Sequence, residues 1–295
     1  MSQVMIRDQV PQRELLDSGH LACPGCGAPL AMRLVLKELG EKTVVVLPAC
    51  CWSIIAGPFP QSSLHVPLYH TAFGSAAAVA SGIRAALDIR GDTETTVIAW
   101  AGDGGTFDIG LQALSGAAER NENILYVCYD NEAYMNTGIQ RSSATPWGAW
   151  TTTTPATQPQ GSRKKDILAI MAAHRIPYAA TASPSYPTDL LAKVRRARET
   201  RGTRFLHILS PCPPGWKHGD DLTIELGRMA VRSRVFPLME VVNGVDWSFT
   251  VDHPGDPIGP YIRAQGRFRH LDDDAIGRIQ GDIDARWDFL CRQVR

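Results

Sequence analysis

The stretch TTVIAWAGDGGTFDIGLQALSGAAERNENILYVCYDNEAYMNTG, residues 95–138, constrains the fold more than any other part of the chain. Residues 95–101 are an apolar, β-branched run that stops at Gly102-Asp103-Gly104, as a buried parallel strand does. Residues 109–120 carry Ile109, Leu111, Leu114, Ala117 and Ala118 at roughly helical spacing. Asp108 stands near the start, where a helix dipole favours negative charge. Residues 123–130 are a second apolar strand, closed by Asn131-Glu132. The pattern predicts strand, turn, helix, strand, polar loop. Parallel neighbours joined by a right-handed crossover start and finish at the same edges of a sheet. Asp103 and Asn131 are therefore predicted to meet at the carboxyl ends of adjacent strands, where open α/β sheets bind ligands.

One carboxylate and one amide oxygen side by side suit a hard cation. Mg²⁺ takes one or two protein oxygens and completes its shell from substrate phosphates. The glycines flanking Asp103 let a diphosphate come close to the backbone. These residues predict a metal-bridged diphosphate. A lone Gly-Asp-Gly occurs in many surface turns. Here it closes one apolar strand, and Asn131 closes the next, with 26 residues between Gly104 and Asn131. That arrangement resembles the thiamine diphosphate motif.

Elsewhere, helical patterns at residues 28–39, 74–89, 163–174 and 188–201 alternate with strand patterns at 43–47, 178–181 and 204–209. The alternation predicts an α/β fold: an open, mostly parallel sheet with helices on both faces. Residues 1–18 read as a polar N-terminal arm, and residues 19–212 as the main domain. Residues 213–295 are less regular, with FPL, HPGDP and GPY punctuation and one clear helix at 274–294. They read as a C-terminal extension that wraps a neighbour, covers a site or packs on its own domain. Residues 134–160, rich in Thr, Ser and Pro, read as an ordered loop over the diphosphate and substrate.

Lys plus Arg and Asp plus Glu both number 30, so no nucleic-acid partner is suggested. The first residues lack the apolar core of a signal peptide, and no run is long enough to span a bilayer. A cytoplasmic location follows as an expectation. There the seven cysteines would be ligands or buried thiols, not disulfides.

Cys23-Pro24-Gly25-Cys26 precedes a helix, Cys50-Cys51 follows a strand, and Cys212 follows another in Ser-Pro-Cys-Pro-Pro. All lie in turns, where side chains can converge, and four thiolates suit zinc or an iron–sulfur cluster. A C-x-x-C alone also fits a redox disulfide. Cys128 lies inside an apolar strand and reads as a buried thiol, and Cys291, in the last helix, has no assigned role.

From about Gly19 onward the chain resembles, in order and spacing, the thiamine-binding β subunit of the 2-oxoacid:ferredoxin oxidoreductases, the pyruvate:ferredoxin oxidoreductase (pyruvate synthase) branch above all. The residues that carry the resemblance are LACPGCGAPLAMRLVL, PACCWSIIAGPFP, the Gly-Asp-Gly unit, YDNEAYMNTGIQRSSATP and SPCPPGW. It implies thiamine diphosphate, Mg²⁺ and a [4Fe–4S] cluster held by Cys23, Cys26, Cys51 and Cys212. Cys51 is preferred to Cys50 for its 25-residue separation from Cys26. The implied metal ligands are Asp103, Asn131 and the Ala133 carbonyl. Gly102, Gly104, Cys51, Thr137 and Gly138 are the further implied cofactor positions, and Asn136 is the implied substrate-facing residue.

The implied reaction is oxidative decarboxylation of a 2-oxoacid to an acyl-CoA and CO₂. Thiamine supplies the nucleophilic carbon and electron sink, and the cluster takes the electrons. No ferredoxin-like cysteine array occurs here, so electrons would leave through an iron–sulfur partner subunit to ferredoxin or another acceptor. An α subunit would supply the pyrimidine-binding half and the activating glutamate, for which Glu132 is a poor local substitute. A γ subunit is a further expected partner. Gly74-Ser75 replaces a larger pair found in pyruvate-using relatives, so the expected substrate is pyruvate or a larger, branched or aryl, 2-oxoacid. His65 and His70 are candidate pocket groups, with ordinary hydrogen bonding as the plainer reading. Two other readings remain: a non-oxidative thiamine-dependent decarboxylase or carboligase subunit, and a zinc-bearing scaffold.

Overall fold

The computed structural model describes residues 10–294; residues 1–9 of the predicted N-terminal arm, and Arg295, lie outside the described residues. Strands β1 (Thr43–Pro48), β3 (Thr96–Gly102), β4 (Leu125–Asp130) and β6 (Arg204–Leu209) make the centre of a sheet. β2 (Leu68–Thr71) and β5 (Tyr178–Ala182) flank them, and β7 (Met239–Val242) and β8 (Asp246–Phe249) lie beyond β5. Among the described residues the order is β2-β1-β3-β4-β6-β5-β7-β8. The first six are parallel, and β7 and β8 are antiparallel additions. Every residue of β4 and β6 is buried, because helices cover both faces.

One face packs on α1 (Gly27–Leu39) and, after the intervening helices α2 (Trp52–Ile55), α3 (Ala76–Ile89), α4 (Leu111–Glu119) and α5 (Ile167–Ala173), on α6 (Pro187–Glu199). Met32, Val35, Leu190 and Val194 meet Leu47, Ile98 and Val127 there. The opposite face packs on α3, α4 and α5, where Ala76, Ala77 and Ala80 let α3 lie close to the strands. Proline at the start of α6, Asp189 in its first turn and Arg196 and Arg198 in its last suit the helix geometry and dipole. Arg195 of α6 grips Glu38 of α1 through two hydrogen bonds of 3.0 Å.

Two expectations are corrected. The helix after Gly-Asp-Gly does not wait until residue 109: a π-helical turn, Gly104–Asp108, begins directly after Asp103 and leads into α4. Apolar periodicity could not reveal it, since two of its five residues are glycines. The predicted irregularity of residues 213–295 also hides regular elements: α7 (Pro213–Trp216), α8 (Thr223–Arg232), the β7–β8 hairpin and α9 (Gly259–Arg263), while the helix expected at 274–294 is present as α10 (Asp273–Gln293). The two hairpin strands have four residues each, too few to show a period. Trp216, Leu226, Val231, Ile258, Ile262 and Phe268 form a third core beyond the end of β6.

Candidate active site

β1, β3, β4 and β6 are parallel neighbours, so their carboxyl ends share one edge. Directly beyond them stand Cys50-Cys51, Asp103, Asn131 and Cys212. A cavity of about 260 Å³ opens there, lined by Cys50, Cys51, Gly102, Asp103, Gly104, Asn131, Ala133, Asn136 and Thr137. The sheet topology thus gathers the predicted Asp103 and Asn131, as right-handed connectivity requires. Gly138, at φ 116°, shapes the turn after Asn136 rather than lining the cavity.

Asp103 is buried. Its Oδ2 accepts from the Ser142 hydroxyl, and its Oδ1 lies 2.9 Å from the Asn131 carboxamide oxygen position. That same position is 3.0 Å from the Ala133 carbonyl oxygen. Three acceptors therefore face one another. Either the amide turns over and donates to both neighbours, or a cation lies among them. These two separations are compatible with Mg²⁺ as well as with hydrogen bonds, since oxygens ~2.1 Å from an octahedral ion are ~3.0 Å from their nearest neighbours. Burial, then the nearby Asp130 charge, push the Asp103 carboxyl well above the usual carboxylate range, a pressure that a cation would relieve. Among the described residues no group of three or more His, Cys, Asp or Glu side chains is placed to hold a metal ion. The oxygens gathered here come instead from one carboxylate, one amide and one main-chain carbonyl.

The π-helical turn begins at Gly104, and first-turn N–H groups lack intrahelical acceptors, so its positive end meets the cavity. The bare face of Gly104 is filled by the Tyr134 ring; a Cβ there would stand 2.2 Å from Tyr134 Cε1. Close packing of an aromatic ring, rather than the expected approach of a diphosphate, accounts for this glycine. The Tyr134 hydroxyl donates to Asp108 Oδ2 at 2.8 Å, which ties the loop after Asn131 to the turn after Asp103. Phe73, Tyr134 and Met135 also line the wall and were not singled out as site residues in the sequence, whereas Cys50, the alternative to Cys51 there, lines it too. Tyr134 and Met135 could have been found from their place between Ala133 and Asn136; Phe73 carries no such signal.

Gly74 and Ser75 are not part of this wall. A Cβ on Gly74 would meet Ile109 O at 3.2 Å, and the Ser75 hydroxyl bonds Thr71 Oγ1 at 2.7 Å. This removes the structural basis for reading substrate size from them. His70 is exposed, and His65 pairs with Asp17 at 2.7 Å; neither lines the cavity. Glu132 is also away from the cavity, bonded to Lys164 and Arg267. Residues 134–160 do lie over the site in part, since Ser142 reaches Asp103.

The cysteine loops are drawn together by main-chain contacts. Gly27 N donates to Pro211 O at 3.2 Å, and Leu21 N to Ile55 O at 3.2 Å. Burial raises the Cys26 thiol to about 11, with Cys23 adding repulsion. Burial raises Cys51 and Cys212 to about 12, and each also feels Cys26. These thiols are electrostatic neighbours without the close grouping a single metal ion demands. Cys128 is fully buried, in keeping with a core thiol, and Cys291 is exposed.

Residues 51–208 match the family described as "Thiamine pyrophosphate enzyme, C-terminal TPP binding domain". Ketoisovalerate oxidoreductase subunit VorB of Pyrococcus abyssi is 48% identical, over 95% of this chain and 94% of that one. Pyruvate synthase subunit PorB of Methanothermobacter thermautotrophicus is 47% identical, over 97% and 99% of the two chains. A solved 2-oxoglutarate:ferredoxin oxidoreductase from Magnetococcus marinus shares the fold, with a TM-score of 0.62 at 22% identity, over 92% of this chain and 95% of that one. Among the described residues no helix is long and apolar enough to cross a membrane. Sequence relatives, family match and the shared edge of β1, β3, β4 and β6 lead to one conclusion: the chain belongs to the thiamine diphosphate-binding β subunits of the 2-oxoacid:ferredoxin oxidoreductases.

Proposed function

We propose that this chain supplies the diphosphate-, Mg²⁺- and [4Fe–4S]-binding half of a CoA-acylating 2-oxoacid oxidoreductase whose preferred substrate has a branched side chain. The observation that carries the reading is the meeting of Asp103 Oδ1 and the Ala133 carbonyl at the Asn131 amide, 2.9 and 3.0 Å from it, at the edge of the cavity, a donor set that suits Mg²⁺. Asp103, Asn131 and Ala133 hold the ion, and Ser142 keeps the second Asp103 oxygen in place. The N–H groups at the start of the π-helical turn face diphosphate charge. Cys23, Cys26, Cys51 and Cys212 bind the cluster. A four-iron cluster separates its thiolates more widely than one zinc ion does, which agrees with thiols that influence one another without a single-ion grouping. When bound, thiamine diphosphate supplies the carbon nucleophile and electron sink for decarboxylation.

Asn136 hydrogen-bonds the 2-oxoacid, a role that its position as an exposed polar group bordering the cavity supports. Phe73 and Met135 give the same cavity apolar surface, which suits a branched acyl group better than a methyl. The relatives named for ketoisovalerate and for pyruvate are equally similar, so identity does not choose between these acids. An α subunit supplies the pyrimidine half of the cofactor site, an iron–sulfur subunit carries electrons to ferredoxin or a similar acceptor, and a γ subunit completes a cytoplasmic complex.

The test is the purified complex, assayed for iron, magnesium and thiamine diphosphate and for CoA-dependent dye reduction with a panel of 2-oxoacids. Branched acids should exceed pyruvate by roughly tenfold or more in kcat/KM, the scale a few methylenes provide. Pyruvate ahead by a wide margin removes the branched-acid part of the proposal. A complex with thiamine but no iron removes the cluster.

A further inference from the structure

Residues 130–133 alternate in direction. Asn131 and Ala133 line the cofactor cavity, while the side chains of Asp130 and Glu132 enter a buried ion network behind it. Lys164 Nζ donates to Asp130 Oδ2 at 2.5 Å and to Glu132 Oε1 at 2.8 Å. His207 Nε2 lies 2.7 Å from Asp130 Oδ2. Arg267, which follows Glu132 by 135 residues, donates to Glu132 Oε2 at 2.6 Å. Its guanidinium lies over Trp216, 4.0 Å from the ring centroid, and Trp216 Nε1 donates to Asn131 O at 2.8 Å. Thr145 Oγ1 donates to Glu132 O at 2.7 Å.

Glu132 has φ 67°, a left-handed conformation that a non-glycine residue holds only where its surroundings over-determine it. That conformation sets the course of the chain between Asn131 and Ala133. A buried ion network is seldom more stabilising than apolar packing of the same volume, which leaves room for a role beyond stability. Its position directly behind two oxygens of the metal trio suggests what it does.

We propose that Arg267 and Lys164 are positioning residues for the Mg²⁺ site: they hold Glu132 in its left-handed conformation and so aim the Asn131 amide and the Ala133 carbonyl at Asp103. The inference rests on the ligand assignment made above. It joins the C-terminal segment to the metal site through Arg267 and Trp216, neither of which reaches the cavity. Arg267 suits the task because its planar fork bonds Glu132 while its face lies on an indole, an arrangement lysine cannot reproduce.

The experiment uses the whole complex, freed of Mg²⁺ and titrated with Mg²⁺ alone at saturating thiamine diphosphate. Retained thiamine diphosphate is read beside iron content and Tm. For Arg267→Gln the half-saturating Mg²⁺ concentration should rise by about tenfold or more, the usual effect of losing an outer partner of a metal ligand. Iron content should stay at the parent level, and excess Mg²⁺ should restore full thiamine loading. Arg267→Lys should give a smaller rise in the same direction, and it carries the test if Arg267→Gln does not assemble. Asn131→Ala is the control for the ligand assignment. If Asn131→Ala raises the requirement and neither Arg267 variant does, the positioning role is overturned. If Asn131→Ala also leaves it unchanged, the ligand assignment itself has failed. A joint fall in iron, thiamine and Tm that Mg²⁺ cannot restore reduces Arg267 to a structural role and overturns the proposal.

Discussion

Cys50 and Cys51 are adjacent in sequence and stand in different surroundings. The Cys50 thiol lies against the Tyr129 hydroxyl and the backbone at Gly102, whereas Cys51, raised mainly by burial and next by Cys50, is also an electrostatic neighbour of Cys212 and Cys26. Both line the cavity, and the short helix α2 begins at Trp52 directly after them with Cys51 as its N-cap residue. Cys51→Ala should therefore lose iron from the purified complex, as should Cys23→Ala, Cys26→Ala and Cys212→Ala. Cys50→Ala, Cys128→Ala and Cys291→Ala should retain parent iron content. Iron analysis with visible absorbance checks this, and iron kept by Cys51→Ala but lost from Cys50→Ala would shift the ligand register by one residue.

Asp103→Ala should abolish retention of thiamine diphosphate, because the charged member of the oxygen trio is lost. Ser142→Ala should have a milder effect, since it removes only the hydrogen bond on the second carboxylate oxygen. Cofactor content after gel filtration at fixed Mg²⁺ ranks the two variants. Equal retention in parent and Asp103→Ala is incompatible with the assignment.

Asn136 borders the cavity and belongs to neither the oxygen trio nor the cysteine loops. Asn136→Ala should lower kcat by about 10²-fold, the range for a lost hydrogen bond to developing charge, with thiamine and iron contents unchanged. A variant that turns over normally would remove Asn136 from the chemistry.

Lys193 of α6 is almost wholly buried and donates to Asp189, to Thr181 O at 2.8 Å and to Thr250 Oγ1 at 2.7 Å, beside the end of β8. Lys193→Met leaves the Asp189 carboxylate without its cation, so unfolding should cost about 3–5 kcal/mol less. Thermal or urea unfolding of the complex checks this. The double variant Lys193→Met/Asp189→Leu should recover much of the loss.

The parallel core was legible because buried strands and helices carry local periods. The strand ending at Gly102, the strand ending at Asp130 and the helix at Gly27–Leu39 all appear in the apolar pattern to within two residues. Connectivity then placed Asp103 beside Asn131, since parallel strands joined by right-handed crossovers share an edge. The early π-helical turn was not legible, because Gly104 and Gly105 carry no apolar signal. Nor was β2, a four-residue strand at the edge of the sheet with no position fully buried.

What the sequence by itself determined is the set of chemical groups and the sheet edge to which they belong: a carboxylate, an amide and paired cysteines, each in the turn that follows a strand or precedes a helix. Tertiary structure alone decided which neighbours each group faces. Gly74 and Ser75 turned out to be packed away from the cavity, and Phe73 beside them lines it. Glu132, next to the cavity-lining Asn131, is bound to an arginine 135 residues later. No local period can report such pairings. They depend on how the C-terminal segment folds back over the end of β6, and that follows from burying Trp216, Phe268 and their neighbours in a core assembled from distant parts of the chain.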